Sequence, residues 1–191
     1  MSLLNRIDLL EKIGNQHIIV DSNFWIQAYN YPEEFQEVLL MLSAVHCEII
    51  TLPSIEFEVL RSSKDENDYV EFSKFLENYS STSNGIFHKQ IKTKHQEISS
   101  RALDVARLYK KHHHYSASFI DCYIVSVISF FQNSHRVYIL TENHTDFSSL
   151  LLDLLYIYPV ATVTKNKAYK VHTPGFYEIN FEKLHTKGII A

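Results

Sequence analysis

The sequence predicts an α/β fold, namely a three-layer α/β/α sandwich with a mostly parallel central sheet. Short apolar runs rich in β-branched residues alternate along the chain with longer segments whose apolar residues recur every three or four positions. Continuous apolar runs of this kind are typical of parallel strands that are covered on both faces. The chain has 191 residues, of which 46% are hydrophobic and only 4 are Gly and 4 are Pro. We therefore expect a single domain, residues 1–191, with a sizeable core.

Two segments are expected as additions to the core of this domain. Residues 2–14 carry apolar side chains at helical spacing with charges between them, which predicts an amphipathic N-terminal helix. Residues 156–191 contain the last apolar runs of the chain and are predicted to form a C-terminal strand region.

Strands and helices follow one another between these ends. The run HIIV at residues 17–20 is short and apolar, as a buried strand should be. Pro32 is followed by acidic residues, which marks the start of a helix, and Pro53 marks another. In all, we predict strands at residues 17–20, 47–52, 136–140, 158–163 and 176–182, and helices from about Phe24, from Pro32, and at 53–62, 65–79, 94–113, 117–132 and 148–155.

Composition and motifs disfavour several classes of protein. The net charge of −4 gives no global indication of nucleic acid or membrane as a partner. GxGxxG and GxxxxGK[ST] are both missing from the sequence, so dinucleotide and P-loop sites have no support. The apolar runs are far below the about 20 residues of a transmembrane helix, so we expect no membrane span. Cys47 and Cys122 lie far apart, which disfavours a disulfide framework and fits a reducing cytoplasm.

The stretch IIVDSNFWI at residues 18–26 places Asp21 directly after the first predicted strand. Open α/β sheets bind their ligands at the carboxyl ends of the strands, which makes Asp21 a candidate site residue. Asp21, Ser22 and Asn23 are equally good N-caps for the helix that follows. Both interpretations stay open on this stretch alone.

The helix ASFIDCYIVSVISFFQ is apolar on nearly all sides and is predicted to be largely buried. Asp121 is its only charge. A buried carboxylate needs a compensating cation, metal ion or set of backbone donors, because its desolvation costs several kcal/mol. A capping role is the structural alternative, since Asp121 lies in the first turn, although Ser116 and Ser118 are better placed to cap.

Two further acidic elements complete the candidate set. The loop TENHTDF contains Thr141, Asn143 and Asp146 just past a strand end, although Asp146 alone would most often be an N-cap. In the helix PSIEFEVLRS, Glu56 and Glu58 lie about 200° apart around the axis, so only one of them can face a given site. We prefer Glu58, because the apolar residues that follow it would carry it toward the sheet.

Four carboxylates in one cleft would repel one another unless metal ions were present. Hard oxygen ligands in this number favour Mg²⁺ or Mn²⁺. One or two such ions can activate water and stabilise a leaving oxygen in phosphodiester hydrolysis.

The order of these elements resembles that of the PIN-domain nucleases, which include the VapC-like toxin ribonucleases. In that family an Asp ends the first strand, as in VDSNFWI, and a Glu lies in a short helix like EVLRS. An Asp opens a DxxI helix, as in DCYIVSVI, and a T-x-N/D-x-x-D-F loop follows, as in TENHTDF. The resemblance covers roughly residues 17 to 150.

The resemblance implies an endoribonuclease whose acidic metal site, for Mg²⁺ or Mn²⁺, consists of Asp21, Glu58, Asp121 and Asp146. Ser22, Thr141 and Asn143 would be accessory ligands. The implied substrate is RNA, with an antitoxin protein as partner if the chain is the toxin of a toxin–antitoxin pair. The alternative is a non-catalytic PIN-like module that binds RNA or protein.

Residues 88–114 contain seven Lys or Arg and two acidic residues, a local positive face on a net negative protein. Such a face could guide the phosphates of single-stranded RNA toward the cleft. An ordinary solvated helix explains the pattern about as well. The phosphate contacts we predict are Lys92, Lys94, Arg101 and Arg107.

Other proteins that gather carboxylates at strand ends fit the sequence less well. A dehalogenase-like phosphotransferase needs an Asp two residues after its nucleophilic Asp, where this chain has Asn23. A receiver-like domain needs an Asp at the end of its middle strand, and CEIITLPS offers none. The 12 Tyr and 12 Phe residues are compatible with a homodimer interface without locating one.

Overall fold

The computed structural model describes residues 3–80, 86–112, 116–131, 136–147, 149–164 and 166–190. The helices in these ranges are α1 (Arg6–Ile13), α2 (Ser22–Asn30), α3 (Pro32–Ala44), α4 (Pro53–Arg61), α5 (Glu66–Tyr79), α6 (Ile86–Thr93), α7 (His95–Lys111), α8 (Phe119–Phe131) and α9 (Phe181–Thr186). The strands are β1 (His17–Val20), β2 (Glu48–Ile50), β3 (Val137–Thr141), β4 (Leu152–Ile157), β5 (Val160–Val163), β6 (Tyr169–His172) and β7 (Gly175–Ile179).

Five of the strands form one sheet in the order β2-β1-β3-β7-β4. β1 is parallel to both of its neighbours, and Ile19 is in register with Ile50 of β2 and Ile139 of β3. β7 runs antiparallel to β3 and to β4. The α/β class is confirmed, but the sheet is mixed, and its parallel part consists of β2, β1 and β3. The carboxyl ends of these three strands lie at one edge of the sheet.

The helix predicted at residues 148–155 is wrong. Leu152–Ile157 is strand β4, in which Leu152 and Leu155 are buried and the residues between them are half-buried. A run of leucines interrupted by one Asp has no clear helical or strand period, so tertiary pairing decides its conformation. Here the pairing partner is β7, which lies more than 20 residues further along the chain. Ser148 itself lies outside the described residues.

The C-terminal region also departs from the prediction. The strand expected at residues 158–163 is β5, which leaves the main sheet and pairs with β6, a strand that was not predicted. The last strand ends at Ile179 instead of continuing to residue 182. Asn180 ends it by capping α9, since its side-chain oxygen accepts a hydrogen bond from the backbone N–H of Lys183 at 3.0 Å.

The N-terminal helix is shorter than the predicted range of residues 2–14. It begins at Arg6, because Asn5 is its N-cap and accepts hydrogen bonds from the backbone N–H groups of Ile7 and Asp8. Ser2, the first residue of the predicted range, lies outside the described residues.

The helices that carry the candidate carboxylates pack on the parallel strands. α2 contacts α3, α4 and β3, and α8 contacts α7, β3 and β7. α8 buries 10 of its 13 residues, which confirms the prediction of a largely buried helix. Across the described ranges, no helix combines the length and the apolar character needed to span a membrane.

Candidate active site

Asp21 lies at the carboxyl end of β1 and is the N-cap of α2. Its side chain is 2% exposed. Oδ1 accepts hydrogen bonds from the backbone N–H and the hydroxyl of Ser22, at 2.8 and 3.4 Å, and Oδ2 accepts one from the side-chain amide of Asn23 at 3.3 Å. Burial raises the pKa of Asp21, and these hydrogen bonds oppose that rise. Asp21 is therefore both an N-cap and a buried carboxylate at the carboxyl ends of the parallel strands.

Thr141, the last residue of β3, links this strand to Asp21. It is fully buried, and its hydroxyl donates to Oδ2 of Asp21 at 2.8 Å. The same hydroxyl accepts a hydrogen bond from the backbone N–H of Asn143 at 2.9 Å. The structure thus brings together Asp21, Ser22, Thr141 and Asn143, with Thr141 and Ser22 acting as hydrogen-bond donors that hold the carboxylate of Asp21.

We expect Thr141→Val to lower the free energy of unfolding by about 1 to 3 kcal/mol, because the near-isosteric change leaves a buried carboxylate without one of its donors. Urea denaturation monitored by circular dichroism measures the loss. Thr162→Val is the matched control, since Thr162 is also buried but its hydroxyl donates only a marginal hydrogen bond of 3.5 Å to the carbonyl of Lys170. Equal losses in the two variants would contradict the role assigned to Thr141.

Asp121 lies in the first turn of α8 and is 7% exposed. Its Oδ2 accepts a hydrogen bond from the backbone N–H of Ser118 at 2.6 Å, and the Ser118 hydroxyl accepts one from the backbone N–H of Asp121 at 3.2 Å. This reciprocal pair is a capping box. Burial raises the pKa of Asp121 to about 6, and the negative charges of Asp21 and Asp146 contribute to the rise. Asp21 and Asp146 are thus close enough to Asp121 for their charges to act on its carboxyl group.

Asp146 lies in the loop after β3, where Asn143 holds it from two sides. The side-chain amide of Asn143 donates to Oδ2 of Asp146, and its carbonyl oxygen accepts from the backbone N–H of Asp146 at 3.3 Å. The other carboxylate oxygen, Oδ1, is buried and has no hydrogen-bond partner among the residues that the structure describes. A buried carboxylate oxygen without a donor is costly, and a bound cation would offset that cost.

The fold fixes the Asp146 loop through contacts that the sequence did not indicate. The ring of His144 lies between Tyr177 of β7 and Thr173, with Nδ1 2.5 Å from the Tyr177 hydroxyl and Nε2 2.7 Å from the Thr173 carbonyl oxygen. A Cβ atom on Gly175 would lie 2.8 Å from Cε1 of His144, so a glycine leaves the space that this ring needs. These partners lie about 30 residues apart, and no local pattern in the sequence predicts their contact.

The two glutamates of α4 differ in their surroundings. Glu56 is exposed, whereas Glu58 is half-buried. The negative charge of Glu58 contributes to the raised pKa of Asp21, although less than burial does. Glu58 is therefore close enough to Asp21 for its charge to act on that carboxyl group.

The donors at this edge of the sheet suit a divalent cation that keeps most of its water. Within the described ranges, no three Asp, Glu, His or Cys side chains lie close enough together to form a compact metal cluster. Mg²⁺, however, is usually held by one or two carboxylates, with water and substrate oxygens as its other ligands. Asp121 and Asp146 meet that requirement, because the charge of Asp146 acts on the buried carboxyl group of Asp121 and Asp146 has a buried oxygen without a donor among the described residues.

The four basic residues predicted to contact phosphate lie in different environments. Lys94 forms an ion pair with Glu97 at 2.9 Å, and Arg107 forms one with Asp104 at 2.7 Å. Arg101 is half-buried, donates to the hydroxyl of Ser129 at 3.2 Å, and has its pKa lowered by burial. Lys92 is exposed and borders a cavity near the acidic residues. Contact with phosphate stays a prediction for all four.

Comparison with known proteins does not place the chain in a family. No family model matches it, and neither a curated protein nor a solved structure matches it.

Proposed function

We propose that this protein is a ribonuclease that hydrolyses RNA phosphodiester bonds with Mg²⁺ or Mn²⁺ held at the acidic edge of its sheet. One observation carries the proposal: Asp21, Asp121 and Asp146 come from three separate elements and lie close enough for the charges of Asp21 and Asp146 to raise the pKa of Asp121. A buried carboxyl group whose pKa is raised by burial and by neighbouring carboxylates is typical of a site arranged to hold a cation or to perform acid–base chemistry.

Each residue has a separate part in this proposal. Asp121 and Asp146 would hold the ion, with Glu58 at the open side of the site, and Asp21 would add negative charge from a fixed position. When bound, the ion would activate water and stabilise the leaving oxygen of the scissile phosphodiester. Thr141 and Ser22 keep Asp21 in place through their hydrogen bonds, and Asn143 orients Asp146. Rigid support of this kind matters because small displacements of reacting groups lower rates strongly.

The proposal includes a PIN-like three-layer arrangement around the sheet. The parallel order β2-β1-β3 and the placement of α2 and α8 directly after or beside these strands support it. The acidic residues of the PIN pattern are all present and follow one another along the chain in the order of that family. We therefore favour a nuclease over a non-catalytic PIN-like module. By extension, we propose that the protein is the toxin of a toxin–antitoxin pair and binds an antitoxin protein.

The proposal is tested by incubating the purified protein with a labelled pool of single-stranded RNAs in Mn²⁺, in Mg²⁺ and in EDTA. We expect endonucleolytic fragments with either metal and intact RNA in EDTA. RNA that stays intact under all three conditions, while a binding assay detects a stable complex, would favour the non-catalytic module.

The two glutamates of α4 provide an internal comparison for the same assay. We expect Glu58→Gln to lower the cleavage rate about tenfold or more, because it removes a charge near the metal, and Glu56→Gln to leave it unchanged. Both substitutions keep the shape of the side chain and lie on one helix. Initial rates at saturating Mn²⁺ measure the effect. Equal rates in the two variants would show that Glu58 does not belong to the active site.

A further inference from the structure

A cavity of about 610 Å³ lies between α6 and the first turns of α4 and α8. Its walls include Ser54 of α4, His88 and Lys92 of α6, and Phe119 and Tyr123 of α8. Its volume lies within the range of small-molecule and cofactor sites. None of these residues belongs to the acidic set that we assign to catalysis.

Two polar atoms on the walls of the cavity have no hydrogen-bond partner within the described part of the chain. His88 is 6% exposed, and its Nε2 lies 3.1 Å from the backbone carbonyl oxygen of Thr51. Because a carbonyl oxygen only accepts, Nε2 is the donor in this contact, and Nδ1 is left as the ring nitrogen that can accept a hydrogen bond. Nδ1 of His88 and the hydroxyl of Ser54 are both buried and have no hydrogen-bond partner among the described residues. An acceptor and a hydroxyl that can donate or accept match the edge of a nucleobase, which offers both kinds of group.

Aromatic and positive groups border the same cavity. Phe119 is 54% exposed although it is a large apolar residue, and its ring centroid lies 6.2 Å from that of Tyr123. Lys92 is exposed at the rim. Proteins bind single-stranded RNA by stacking unpaired bases on aromatic side chains and by placing cations along the backbone.

The cavity and the acidic residues share two helices. On α4, Ser54 lines the cavity and Glu58 lies one turn further on the same face, about 6 Å along the axis. On α8, Ile120 lines the cavity and Asp121 is the next residue. The cavity and two of the carboxylates therefore share α4 and the first turn of α8.

We propose that this cavity binds one unstacked nucleobase of a single-stranded RNA whose adjoining phosphodiester lies at the acidic site. The inference rests on the proposed function for the identity of the polymer, but the base-binding step requires no metal and no cleavage. Phe119 stacks on the base, Ser54 and His88 bind its edge, and Lys92 contacts the neighbouring phosphate.

Fluorescence anisotropy of a labelled single-stranded RNA oligonucleotide in EDTA tests the proposal without cleavage. A second oligonucleotide of the same length with abasic sites reports binding of the backbone alone. We expect the wild-type protein to bind the intact RNA more tightly than the abasic one, and Phe119→Ala to weaken binding of the intact RNA about tenfold, as for the loss of one base–aromatic stack. Phe57→Ala is the matched control, because Phe57 is also exposed, at 65%, and does not line the cavity.

The outcomes separate this inference from the proposed function. Equal binding by Phe119→Ala and Phe57→Ala, equal binding of intact and abasic RNA, or no binding by the wild-type protein would each overturn the base-binding site, even if the protein cleaves RNA in Mn²⁺. Base-dependent binding that is lost in Phe119→Ala, together with no cleavage in any metal, would support the site and overturn the nuclease.

Discussion

We expect Asp121→Asn to reduce metal-dependent RNA cleavage at least about 100-fold, a loss of the size found when one electrostatic group is removed from an active site. The substitution keeps the shape of the side chain, and the Asn carbonyl oxygen can still accept the hydrogen bond from the backbone N–H of Ser118. The capping box and the packing of α8 should therefore survive. The negative charge, which the proposed metal ion requires, is lost. Initial rates of RNA cleavage in Mn²⁺ measure the effect.

Asp104→Asn is the matched control for this experiment. Asp104 is exposed on α7, and its carboxylate pairs only with Arg107 of the same helix among the contacts that the structure describes. The control should cleave RNA at the wild-type rate. If Asp121→Asn also did so, while keeping the wild-type circular dichroism spectrum, the assignment of Asp121 to the catalytic site would be wrong.

Sequence patterns predict the placement of two of the candidate carboxylates, Asp21 at a strand end and Asp121 in a buried helix, because local structure alone determines both positions. Asp21 directly follows an apolar β-branched run, and Asp121 is the one charge in an apolar helix. Each of these two signals is contained in a stretch of about ten consecutive residues. The structure adds that both side chains are caps as well, because the same carboxylate can satisfy a helix N-terminus and remain buried beside other acids.

The rest depends on contacts between distant parts of the chain, which local patterns do not contain. β7 inserts antiparallel between β3 and β4, so the sheet is mixed and the predicted helix at residues 148–155 becomes a strand. Similarly, the basic residues of α7 looked like a uniform positive face, but Arg101 packs its guanidinium 5.3 Å from the ring centroid of Phe130. Charge counts in a segment do not show which side chains are already paired or packed.

The second large effect that we expect concerns stability. Burial raises the pKa of Asp121 from 3.8 to about 6 in the folded protein. Between these pH values the native state binds more protons than the unfolded state, so the free energy of unfolding falls as the pH rises from about 4 to about 6 and stays lower above that range. A pKa shift of this size lowers the free energy of unfolding by about 3 kcal/mol at neutral pH. Asp21 acts in the same direction, since its pKa is also raised, mainly by burial.

The comparison of wild type with Asp121→Asn isolates this contribution from other carboxylates. Asp68 and Asp153 have lowered pKa values and stabilise the fold as the pH rises, but they do so equally in both proteins. In EDTA at about pH 8, we expect the variant to be more stable than wild type by up to about 3 kcal/mol, and the difference to be much smaller at about pH 4. Urea denaturation at the two pH values measures it.

Divalent metal should stabilise wild type but not the variant. A cation bound at Asp121 and Asp146 stabilises only the state that contains the site, so millimolar Mn²⁺ should raise the unfolding midpoint of wild type and leave that of Asp121→Asn nearly unchanged. The contrary outcome is that wild type gains no stability from Mn²⁺ and is as stable as the variant in EDTA at about pH 8. In that case the ionised carboxylate of Asp121 does not destabilise the folded protein. The acidic edge of the sheet would then be a structural cap only, because a site built to hold a cation must be less stable when that cation is absent.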